Sequence, residues 1–151
     1  MRKLVTDTLN ELELSSPNII ELILGTIAQE STYGKYRKQL GNGPALGICQ
    51  MEPNTFNDII NNFLKYKPAL KAKILLVSAL EEFDVAQLQF NDKFAVCMCR
   101  AHYYRVKENI PNDLPGWAYY WKKYYNTILG AGKEEEFIKN YNKFVVPDLD
   151  L

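Results

Sequence analysis

Apolar residues along this chain recur at intervals of three and four, and no segment alternates apolar with polar residues over a useful length. The first pattern is one face of an α-helix, the second a half-buried strand, so the chain reads as all-α. Ile20, Ile23, Leu24 and Ile27 form the clearest stripe, behind Ser16-Pro17. That pair is a capping serine followed by the residue whose fixed φ suits a first helical position. Gly34 is the expected stop. Further helices are expected over 2–14, with Leu4, Leu9, Leu12 and Leu14 as apolar positions, and over 54–65 and 68–78. Another should span 92–106, capped by Asn91 or Asp92, with Phe94, Met98, Ala101 and Arg105 on one face. The last two are expected over 114–127 and 133–144. Glu134, Glu135 and Glu136 open the final helix, where negative charge favours its dipole.

Residues 35–53 break this pattern, with Gly41, Gly43, Pro44 and Gly47 in one stretch. They read as a long ordered loop, with room for a small hairpin, and such loops inside compact domains usually serve function. No internal repeat and no linker divides the 151 residues, so 1–151 is expected to be a single domain.

Eighteen basic residues balance eighteen acidic ones, without the one-sided basic stripe of a nucleic-acid binder. Cys49, Cys97 and Cys99 are odd in number, and the last two sit too close on one helix to bridge easily. They read as small buried hydrophobes of a reducing compartment. With only His102 beside them, they fall short of a structural zinc set, and no metal or cofactor is expected. Arg2 and Lys3 are followed by no apolar run, so no signal peptide and no membrane insertion are expected. The ten Tyr, seven Phe and two Trp suit sugar stacking and an ordinary core equally.

Glu30 lies three positions after Ile27, so helical spacing carries it onto or beside the apolar stripe. Desolvation there raises a carboxyl pKa, which is what a general acid working near neutral pH requires. A solvent-facing glutamate at a helix end, paired with Arg37 or Lys38, fits the spacing as well. Arg100 and His102 are two apart and form no obvious dyad; His102 reads as a packed or hydrogen-bonded histidine.

Around Glu30, Ala28-Gln29-Glu30-Ser31 is followed by Ala45-Leu46-Gly47-Ile48-Cys49-Gln50-Met51-Glu52-Pro53-Asn54-Thr55, and later by Tyr125-Asn126. These resemble the Glu-Ser, Gly-Leu-Met-Gln…Pro-x-Thr and Tyr-Asn motifs of the soluble lytic transglycosylase and goose-type lysozyme superfamily. A closer likeness is to short phage-encoded transglycosylase-like proteins, through Met98-Cys99-Arg100-Ala101-His102-Tyr103 and the Tyr-Trp-Lys…Tyr-Tyr-Asn-Thr segment before Gly130 and Gly132. The resemblance implies a lysozyme-like fold whose Gly-rich loop or small hairpin walls a cleft. It implies a glycosidase acting on the MurNAc-β-1,4-GlcNAc bond of peptidoglycan glycan strands. Glu30 would be general acid and base; Ser31 and Gln50 would orient it or the substrate N-acetyl group. Gly47, Met51 and Asn126 would belong to the substrate site, and Tyr125 would hydrogen-bond towards Glu30 or the sugar. A phage protein of this kind is made in the host cytoplasm and reaches the bacterial wall and periplasm through holin-assisted export or as part of the virion.

Ile48-Cys49 stands where the family has Leu-Met, a change of apolar type. Glu52 stands where an apolar or small residue is usual. A transglycosylase needs one carboxylate, because the sugar's 6-hydroxyl closes a 1,6-anhydro ring, whereas a hydrolase normally adds a second. Glu52 is a candidate for that second carboxylate, or it serves only the start of the next helix. The alternative to an enzyme is a non-enzymatic phage structural or accessory protein that retains the scaffold.

Overall fold

The computed structural model describes residues 1–127 and 130–149, and among these the chain is helical with no strand. Helix α1 spans Arg2–Glu11, shorter than the expected 2–14, and buries Val5, Thr8 and Leu9, with Leu12 buried just past its end. Helix α2 (Pro17–Ser31) begins as the sequence indicates: Ser16 Oγ accepts from the Ile19 N–H, and Pro17 sits in the first turn. Its Leu22–Ala28 stretch is buried all round, so α2 is the central helix and not a surface one.

Helix α3 (Pro53–Asn62) and α4 (Pro68–Ser78) follow, each opened by proline. The short α5 (Gln87–Phe90) was not foreseen; it precedes α6 (Asp92–Tyr104), whose cap is Asn91, accepting from the Phe94 N–H at 3.1 Å. The face expected on α6 holds at three of its four positions: Phe94, Met98 and Ala101 are buried, while Arg105 pairs with Asp58 at 2.6 Å. Helix α7 (Leu114–Trp121) widens into a π-helical turn at Lys122–Asn126, and α8 (Glu134–Asn140) does the same at Tyr141–Val145.

The buried side chains fall into two clusters that share α6. One packs α2, α7 and α8 with Ala95, Val96, Cys99 and Tyr103 of α6. The other packs α3, α4 and α5 against Phe94, Cys97, Met98 and Ala101. The expected loop crosses between them, placing Ile48 and Cys49 in the first cluster and Met51 in the second. Two isolated antiparallel bridges, Lys38 with Leu46 and Leu46 with Met51, give it the rudiment of the expected hairpin. All three cysteines are buried and free. No helix among the described residues is long and apolar enough to cross a membrane.

Candidate functional site

Helix α2 does not end on Gly34 alone. Thr32 (φ 53°), Tyr33 (φ 59°) and Gly34 (φ 88°) are left-handed in succession, a backbone that two residues with side chains adopt only at a cost. Ser31 holds this turn together. Its hydroxyl reaches the Ile48 carbonyl at 2.6 Å and the Ile27 carbonyl at 3.1 Å, and accepts from the Gly34 N–H at 2.9 Å. The result fastens the end of α2 to the 45–51 loop and leaves the preceding residue, Glu30, at the edge of a cleft of about 600 Å³.

Glu30, His102, Tyr125, Met51, Glu52 and Thr55 line the cleft, with Tyr125 packed on the first cluster and Met51 buried in the second. Glu30 is half-buried, and its Oε1 accepts a hydrogen bond from the Trp121 indole N–H at 3.0 Å. Burial pushes the carboxyl up to about 7, while the indole donor pulls it down. No salt bridge joins Glu30 to Arg37 or Lys38 among the described residues; Arg37 pairs with Asp92 at 2.6 Å. The solvent-facing alternative therefore does not describe this glutamate.

Five expected residues do line the cleft besides Glu30: Gln50, Met51, Glu52, Tyr125 and Asn126. Gln50 is left-handed (φ 48°), and its side-chain amide donates to the Gly47 carbonyl at 2.9 Å. Met51 pairs backbone to backbone with Leu46. Asn126 Oδ1 accepts from Lys122 Nζ at 2.7 Å, and the same ammonium reaches the Gly130 carbonyl at 2.9 Å, so Asn126 also organises the turn it sits on.

Two expected site residues lie outside the cleft lining. Ser31 is fully buried with its hydroxyl spent on the turn that follows Glu30, which leaves it the expected part beside the glutamate and not the contact with a substrate N-acetyl group. Gly47 is likewise buried behind the wall. Its φ of +82° and the Leu88 carbonyl oxygen 2.0 Å from where a Cβ would stand explain the glycine without any ligand. Tyr125 also differs in its partner: the hydroxyl donates to the Cys49 carbonyl at 2.5 Å, not to Glu30.

Glu52 is exposed and stands at the cap position of α3 without making a side-chain capping bond. Its carboxylate is thus left on the cleft wall. His102 lines the cleft but is held neutral: burial, then the Arg105 charge, push it down to about 3. Arg105 donates to its Nδ1 at 2.9 Å, and its ring packs edge-on against Tyr125 at 4.9 Å. His102 therefore supports Tyr125 as an uncharged ring. Trp121 is the residue sequence reasoning missed: it was one ring in an aromatic run, and nothing local connects it to a carboxylate 91 positions away.

No protein-family model, no curated protein and no solved structure matches the chain.

Proposed function

We propose that this chain is a peptidoglycan glycosidase of lysozyme-like arrangement, cleaving the MurNAc-β-1,4-GlcNAc bond with Glu30 as general acid. One observation carries the reading: a half-buried carboxyl, raised to about 7 by desolvation, opens onto a cleft large enough for a saccharide. Near neutral pH about half of such carboxyls hold a proton, and those that have lost it can take one back, which serves both halves of a glycosidase cycle.

In the first half Glu30 gives its proton to the glycosidic oxygen as the C1–O bond breaks and positive charge develops at C1. In the second, the Glu30 carboxylate takes the proton from the sugar's 6-hydroxyl as that oxygen bonds C1 and closes an anhydro ring. In the hydrolytic version water attacks C1 and its proton passes to a carboxylate, with Glu52 of the same cleft lining as the candidate. Gln50 and Asn126, both on the wall and both carrying amides, suit the hydroxyl and N-acetyl groups of such a glycan. This reading gives the protein a place of action at the bacterial wall, with delivery through a holin or a virion.

The deciding experiment incubates the protein and Glu30→Gln with purified peptidoglycan and identifies released muropeptides by mass spectrometry. Anhydro-muropeptides that vanish in the variant support a lytic transglycosylase, and Glu52→Gln should then leave the rate nearly unchanged. Reducing-end products support a muramidase, and Glu52→Gln should then cost on the order of a hundredfold or more. Release of nothing, from walls that a known lysozyme digests, overturns the reading in favour of a non-enzymatic scaffold.

A further inference from the structure

We propose that Trp121 is a positioning residue for the Glu30 acid, its indole N–H fixing the acidic proton on the carboxyl oxygen that faces the cleft. The inference rests on and deepens the reading of Glu30 as the acid, and its deciding measurement needs no substrate.

The argument begins from what an indole can do. Its N–H donates and never accepts. Trp121 is fully buried, and its Nε1 lies 3.0 Å from Glu30 Oε1. Oε1 is therefore held as acceptor in both protonation states, because a carbonyl-type oxygen accepts from the indole better than the hydroxyl oxygen of a protonated carboxyl does. The proton is left to Oε2. That oxygen has no hydrogen-bond partner among the described residues, and it belongs to a side chain that lines the cleft. A carboxyl free to turn would offer either oxygen; this one offers the useful oxygen only.

The same bond changes character as the proton leaves. A neutral N–H facing a neutral carboxyl becomes a charge-assisted donor to a carboxylate, roughly twice as strong. Stabilisation that grows as the reaction proceeds lowers its barrier, whereas stabilisation present throughout does not. Burial and the indole act on the carboxyl in opposite directions, and together they leave it at about 7.

The ring has little room to move. Phe137 packs against it with centroids 5.4 Å apart, and a Cβ on Gly132 would stand 2.6 Å from its Cη2. Gly132 lies outside the cleft lining, and Gly132→Ala presses first on the indole and then, at 3.0 Å, on the Asn126 amide of the wall.

The chain contains two tryptophans, and the other provides an internal control: Trp117 Nε1 donates to the Pro111 carbonyl at 2.7 Å. In 15N-labelled protein the two indole N–H signals are followed from about pH 5 to about pH 9. The Trp121 signal is expected to move with a midpoint of about 7, to lose that movement in Glu30→Gln, and to leave Trp117 flat. A Trp121 signal that does not titrate in this range overturns the proposal, whether or not glycan is released. In Trp121→Phe, the Glu30 carboxyl carbon should titrate about one unit higher, and the alkaline limb of muropeptide release should move with it. Gly132→Ala should shift both in the same direction by less. An unchanged carboxyl midpoint in Trp121→Phe also overturns it.

Discussion

A glutamate that resists ionisation in the folded chain must destabilise that fold once it is forced to ionise, and Glu30→Gln turns this into a measurable quantity. Raising a carboxyl from 4.5 to about 7 corresponds to about 3 kcal/mol. The sign follows from proton counting. Between these two values the folded chain keeps the Glu30 proton and the unfolded chain has lost it, so stability falls as pH rises. The contribution is complete below 4.5 and gone above about 7. Glutamine has the same shape, accepts from the same indole and does not titrate. Other ionisable groups, among them Glu21 held down by Arg2 and Tyr141 against its own burial, contribute equally to both proteins and cancel in the difference. Urea unfolding of the two proteins across this range should give nearly equal stabilities at about pH 4. The variant should be more stable by about 3 kcal/mol at about pH 8, with most of the change between. A difference that stays flat with pH would show that Glu30 ionises as freely as a surface carboxyl, and the case for it as an acid would go with it.

Ser31→Ala should cost about 1–3 kcal/mol in the same unfolding assay, since it leaves the Gly34 N–H and the Ile48 carbonyl without their shared hydroxyl. Glycan release should fall further than that loss of stability explains, because the end of α2 is then no longer fastened to the cleft wall. Gly47→Ala should cost about 3 kcal/mol, from a Cβ set against the Leu88 carbonyl and a left-handed backbone. A thermal melt should register this as a fall of about 10 °C in Tm.

Helix starts were legible because the groups that make them are neighbours in sequence. Ser16 and Asn91 accept from amides three positions on, Pro17 and Pro68 preset the backbone of a first turn, and all four stand where helices begin, whereas Pro53, read as the end of the loop, opens α3. The ends were less legible. Helix α1 stops short of the expected 14, and α7 widens into a π-helical turn that no residue type announces. At the site, the stripe leading to Glu30 gave its partial burial, since helical spacing alone fixes which face a residue shares. What Ser31 and Tyr125 bond to was not legible, because Ile48 and Cys49 are brought to them by the fold. Gly47 illustrates the same limit: its motif position was apparent, but the reason for it is a carbonyl from α5, an element the sequence did not disclose.

Helix α6 gives one face to each apolar cluster, and the cleft opens where those clusters meet. It therefore acts as a spacer whose thickness is set by side-chain volume. Cys97, Met98 and Ala101 face one way and Ala95, Val96 and Cys99 the other, all small or flexible residues in a tightly packed interior. A methylene gained or lost at any of them moves one wall of the cleft relative to the other. The bore of the site is thus adjustable by changes that never touch it, and a descendant chain can widen or narrow the cleft while every residue on its surface stays the same.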